Sequence, residues 1–127
     1  MRQLKILLVD DDTINRKLIK TLLSHHQDLV KDIIEANNGA EALEIVESNS
    51  DIDLVLLDIL MPILDGRDFL KTFRSKKSNS NIPVIVLTTD DSQKKEVLNY
   101  GADDILIKPI KEGSLIKHIK YWTQEVE

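Results

Sequence analysis

The sequence predicts an α/β fold: a parallel sheet with helices packed on both faces. Three observations predict it. Short apolar runs alternate with longer stretches of helical periodicity, the pattern of strand–helix crossover units. The runs lack polar alternation, as strands covered on both sides require. Several of them also end abruptly in Asp, Thr or Lys, so one edge of a parallel sheet would collect the polar residues.

Lys5-Ile6-Leu7-Leu8-Val9 reads as the first strand. Ile14, Leu18 and Leu22, with Ile19 and Leu23, recur at helical spacing and predict an amphipathic first helix. A weaker second strand covers residues 30–34. Asn38-Gly39 signals a turn into a second helix over 40–46, with Leu43 and Val46 on one face. Residues 54–57 form a central strand, and Asp65-Gly66 opens a third helix through Phe69, Leu70 and Phe73. Arg74 and the polar segment 75–81, including Lys76 and Lys77, read as solvated. A fourth strand covers 83–87, and a helix over 92–99 is stopped by Gly101. Residues 105–107 make the fifth strand, and Leu115, Ile119 and Trp122 mark a last helix with Trp122 turned to the core.

The chain of 127 residues suits one domain spanning 1–127, with no output domain expected. It has no cysteine, which excludes disulfides, thiolate nucleophiles and thiolate metal sites. A net charge of −5 and 4% aromatic content argue against direct nucleic-acid binding, by phosphate contacts or by base stacking. No apolar run is long enough for a bilayer and the N-terminus is not a signal peptide, so a soluble, cytoplasmic protein is expected.

At the strand ends stand Asp10-Asp11-Asp12, Asp58, Thr88-Thr89 and Lys108-Pro109. Brought to one edge, these carboxylates repel one another unless they share a cation. Oxygen donors without His or Cys suit Mg2+, and Mn2+ is expected to substitute. A metal-supported carboxylate can act as nucleophile toward a phosphoryl group, with Lys108 and the Thr88 hydroxyl neutralising and binding its oxygens. Asp12 is better read as the N-cap of the first helix. His25 and His26 read as solvated surface, and Lys94, Lys95, Lys111, Lys117 and Lys120 as a charged face around the last two helices.

Ile6-Leu7-Leu8-Val9-Asp10-Asp11, Leu57-Asp58-Ile59-Leu60-Met61-Pro62 with Asp65-Gly66, Val86-Leu87-Thr88 and Lys108-Pro109, in this order, resemble the receiver domain of bacterial response regulators. The likeness runs from Lys5 to about Thr123. It implies a flavodoxin-like fold of five parallel strands in the order 2-1-3-4-5. It further implies that Asp58 is the phosphorylated aspartate and that Asp10 and Asp11 hold Mg2+, with Asp58 and the Leu60 backbone carbonyl as further ligands. Thr88 and Lys108 would contact the phosphoryl group, and the Lys108–Pro109 peptide would be cis. The implied donor is a sensor histidine kinase or a histidine phosphotransfer protein. The output is an unidentified protein target or onward phosphotransfer, from a monomer or a phosphorylation-dependent dimer. Such a chain catalyses its own modification and its slow hydrolysis but is no metabolic enzyme.

Two positions depart from the pattern. Ile105 stands where the family often has a switching aromatic, and Leu60 where many members carry a polar side chain near the hydrolytic water. Leu60 and Thr89 are expected to set the phosphoryl lifetime. The competing readings are a receiver-like scaffold independent of phosphorylation, a haloacid-dehalogenase-type phosphatase using Asp10 and Asp12, and a flavin- or nucleotide-binding protein. Three aspartates in the first loop disfavour the last, because they repel phosphate.

Overall fold

A computed structural model describes residues 3–59 and 65–124. Five strands, β1 (Leu4–Val9), β2 (Val30–Ala36), β3 (Leu54–Asp58), β4 (Val84–Thr88) and β5 (Asp104–Ile107), form one parallel sheet in the order β2-β1-β3-β4-β5. The helices are α1 (Thr13–Ser24), α2 (Gly39–Ser48), α3 (Gly66–Ser75), α4 (Lys94–Asn99) and α5 (Glu112–Thr123). The predicted fold class and strand order are those observed.

Alternate residues of each strand face opposite sides, and each side has its own core. Leu7, Val9, Val55, Leu57, Val84 and Val86 pack with Phe69, Leu70 and Phe73 of α3. Leu4, Ile6, Leu8, Leu54, Leu56 and Ile85 pack with Ile19 and Leu23 of α1 and with Leu115 and Ile119 of α5. Burial on both faces is why β3 and β4 carry no polar residue before their last position, while the edge strand β2 keeps Lys31, Asp32 and Glu35. Register then fixes where those ends meet: Val9 pairs with Leu57, Asp58 with Leu87, and Thr88 with Ile107.

Several local readings are corrected. The apolar stripe of α1 is turned by about one residue: Ile14 is 78% and Leu18 49% exposed, while Arg16 joins Ile19 and Leu23 on the buried face. The helix expected over 92–99 begins as a 3-10 turn, Asp91–Gln93, before α4 proper. His25 and His26 are not simply solvated. Their Nδ1 and Nε2 atoms lie 2.8 and 3.0 Å from the two oxygens of Glu112, tying the end of α1 to the start of α5. Trp122 packs against the core only in part, and its Nε1 donates to Asp104 Oδ2 at 2.8 Å.

Arg74 is the largest correction. It is half-buried and donates from Nε to the Gly101 carbonyl at 2.9 Å. Nη1 donates to the Asn79 and Ile82 carbonyls at 2.8 Å each, and Nη2 to Asp103 Oδ2 at 2.8 Å. Residue pattern offers no cue to this, because three of the acceptors are backbone carbonyls and the fourth, Asp103, lies in another turn.

Gly101 has φ +112°, and a Cβ there would lie 2.6 Å from Arg74 Cγ. Gly101→Ala therefore adds both backbone strain and a clash, and should destabilise the fold by about 1–3 kcal/mol in urea unfolding. An unchanged midpoint would contradict this account of the turn.

Candidate functional site

Asp10 follows β1 directly. It is 3% exposed, and its N–H donates to the Ala36 carbonyl at 3.1 Å, extending the β1–β2 ladder by one residue. Its Oδ1 accepts the Asp12 N–H at 2.9 Å, so the chain turns tightly and Asp11 projects outward, exposed. Asp12 caps α1, its Oδ1 accepting from the Ile14 and Asn15 N–H groups at 2.9 and 3.4 Å. That side chain is spent on the helix, as expected of an N-cap. Asp58 is the last residue of β3, one strand over from Asp10.

Carboxylate oxygens of Asp10, Asp11 and Asp58 all lie within 4.8 Å of one another. Lys108 Nζ sits 3.5 Å from Asp10 Oδ2 and 3.6 Å from Asp58 Oδ1, contacts of charge rather than of hydrogen bonding. The Lys108 N–H donates to the Thr88 carbonyl at 2.7 Å, which fastens the end of β5 to the end of β4. The Lys108–Pro109 peptide is cis. Thr88 is buried, and its hydroxyl accepts the Asp90 N–H at 3.3 Å, leaving the hydroxyl proton available for donation. Thr89 is exposed. Ile105 lies in the core cluster with Val97 and Ala102, paired across the ladder with Val86. Leu60, expected to supply a carbonyl ligand and to modulate hydrolysis, lies outside the described residues.

Burial pushes the Asp58 carboxyl up to about 6, and the neighbouring Asp10 and Asp11 charges add to the effect; Lys108 and the Ile59 N–H oppose it. Burial and the neighbouring carboxylates both disfavour the ionised form, a penalty that a bound cation would offset. The donor set fits a hard divalent ion: carboxylate oxygens only, with partial burial and no nitrogen or sulfur ligand in the cluster. The strand ends thus bring together Asp10, Asp11, Asp58 and Lys108, with Thr88 at the end of the adjoining strand.

The floor behind Asp58 is close-packed. Gly66 N–H donates to the Ile59 carbonyl at 2.9 Å, and a Cβ on Gly66 would come within 2.7 Å of the Asp58 carbonyl oxygen. Only glycine permits α3 to begin this near Asp58. Two residues escaped the sequence reading. Arg16 is among the few buried polar side chains and donates to the Asp10 carbonyl from Nη1 at 2.5 Å, and Glu35 holds it from β2. The signal was available: Arg16 precedes Ile19 and Leu23 by three and seven residues, on the face that the helix buries.

The sequence profile of the response regulator receiver domain matches residues 6–120. A transcriptional regulatory protein CpxR homolog from Haemophilus influenzae is 43% identical over 118 residues, covering 91% of this chain and 48% of that protein. Chemotaxis protein CheY1 from Helicobacter pylori is 33% identical over 108 residues, 84% of this chain and 86% of that one. Among solved structures, the receiver domain of a sensor histidine kinase from Pseudomonas aeruginosa superposes with a TM-score of 0.87 at 25% identity, covering 98% of this chain and 100% of that one. It was solved with a magnesium ion coordinated in its active site cleft. The chain spans 16%, 13% and 48% of the first three curated relatives, well under two-thirds of each.

Because the folded-state value for Asp58 is raised, the metal-free fold binds more protons than the unfolded chain between about pH 4 and 6, and loses stability as pH rises through that window. Asp58→Asn removes the loss. In EDTA, its stability relative to wild type should climb between pH 4 and 7 and then level off. Solvent screening holds the gain to about 1–2 kcal/mol, below the full linkage value. A pH-independent difference between the two proteins in urea unfolding would refute the assignment.

Proposed function

We propose, from the premise that this chain belongs to the response regulator receiver domain family, that it takes a phosphoryl group onto Asp58 in two-component signalling. The observation that carries the proposal is the meeting of Asp10, Asp11 and Asp58 oxygens beside Lys108 at the carboxyl edge of the sheet. The donor is a phosphohistidine on a sensor histidine kinase or phosphotransfer protein. One Asp58 oxygen attacks phosphorus, the P–N bond breaks with its electrons passing to the leaving imidazole, and an aspartyl phosphate forms.

Asp10, Asp11, Asp58 and the Leu60 carbonyl would hold Mg2+, with Mn2+ able to replace it. When bound, the ion lowers the repulsion between the nucleophile and the phosphoryl oxygens. Lys108, already beside Asp58, is placed to pair with one of those oxygens, and the Thr88 hydroxyl to donate to another once it turns toward Asp58. Transfer of this kind is governed by positioning and charge neutralisation, and these groups supply both.

The new charge on Asp58 then biases a surface element read by a partner protein. Ile105 is already in the core, so burial of an aromatic cannot be the readout. Among the described residues no helix is long and apolar enough to cross a membrane, in keeping with a cytoplasmic site of action. The phosphatase reading is disfavoured because Asp12, needed there as general acid, is committed to capping α1. Ile105 is the observation that favours a phosphorylation-independent scaffold, and the same experiment decides between the two.

Incubated with a small phosphodonor and Mg2+, the wild type should gain an acid-stable, base-labile phosphoryl group, and Asp58→Asn should gain none. Labelling that survives in Asp58→Asn would overturn the assignment. Replacing Thr89 or Leu60 should change the rate of phosphoryl loss severalfold, followed as decay of the labelled protein after removal of the donor. Equal decay rates would remove both residues from hydrolysis.

A further inference from the structure

Arg16 is a buried cation with no part in the chemistry described so far. It is 9% exposed and lies in α1 behind the acidic loop. Its guanidinium is used in three directions. Nη1 donates to the Asp10 carbonyl at 2.5 Å, Nε to Glu35 Oε1 at 3.1 Å, and Nη2 reaches Thr13 Oγ1 at 3.5 Å. Glu35 stands in β2 and is shared with Lys20, whose Nζ lies 3.0 Å from Oε2. Its carboxyl is held below the usual range by Lys20, against some desolvation, with help from Arg16. The guanidinium is thus clamped by an anion on a strand and aimed at a single peptide.

That peptide joins Asp10 to Asp11. Its carbonyl is held by Arg16, while the Asp10 N–H is held by Ala36 and the Asp10 carboxylate by the Asp12 N–H. With these three contacts in place, the peptide plane cannot rotate, and the direction in which Asp11 leaves the chain follows from it. We propose that Arg16, oriented by Glu35, is a positioning residue for metal binding: it fixes the Asp10–Asp11 peptide so that both carboxylates converge on Asp58. This inference rests on the proposed receiver function of the site. Supporting groups of this kind commonly change metal affinity by about 10- to 100-fold.

A positioning role and a purely electrostatic one predict opposite signs. Arg16 is a positive charge near a cation site, so deleting it for charge alone would tighten divalent binding. Deleting it as a positioning group weakens binding. The test is calorimetric titration of the full chain with MgCl2 alone, for wild type, Arg16→Met, Arg16→Lys, Glu35→Gln and Lys20→Met, with thermal unfolding in EDTA as the control for folding.

Arg16→Met should weaken Mg2+ binding about tenfold or more, and Glu35→Gln should weaken it less. Lysine provides one donor point where the fork provides several, so Arg16→Lys should recover only part of the affinity. Lys20→Met, which spares the Arg16–Asp10 contact, should bind as wild type does. Amide exchange at Asp11 and Asp12 in EDTA should speed up in Arg16→Met, a readout that needs no metal.

Unchanged or tighter binding in folded Arg16→Met overturns the inference. If Arg16→Met does not fold, Arg16→Lys takes its place, and wild-type affinity there overturns it. A wild type that binds no Mg2+ and takes no phosphoryl group defeats the functional reading itself, and the two failures are separable in one set of measurements.

Discussion

Three carboxylates confined within a few ångströms shape everything around them. Asp10 and Asp58 cannot relax apart, because both continue strands hydrogen-bonded into the centre of the sheet, while Asp11 projects to solvent beside them. The sheet is held in turn by apolar burial on both faces, and side chains such as Phe69 and Phe73 each stabilise it by about 3–5 kcal/mol relative to alanine. A rigid, dry scaffold therefore keeps charges where solution would never gather them. Lys108 offsets part of the repulsion, while burial first, and then the Asp10 and Asp11 charges, hold the Asp58 carboxyl above its ordinary value. The all-oxygen donor set fits a hard divalent cation.

Those features were legible in the sequence where one local rule sufficed. Apolar runs named the central strands, and the residues just beyond them named the candidate site, because parallel topology carries all such ends to one edge. Asp12 could be told from Asp10 and Asp11 for the same reason: capping is a local act and needs one acid.

What stayed hidden was tertiary. Arg16 drew no reading from sequence, since its partners lie on another strand and on a backbone carbonyl. Ile14 and Leu18 read as core because periodicity reveals a stripe without fixing which way it turns. The Glu112 clasp with His25 and His26 joins residues more than eighty apart, a separation no short-range pattern spans.

The Arg74 network has a mechanical consequence. One guanidinium gathers the end of α3, the turn before β4 and the turn into β5, all at the sheet edge opposite the carboxylates. Asp103 adds a bond to the first amide of β4. Each edge is thus tied by its own arginine, Arg74 at the far one and Arg16 beside the carboxylates, through charge-assisted bonds. Loss of Arg74 would release all three segments together, so the far edge of the sheet is expected to open as one unit rather than turn by turn.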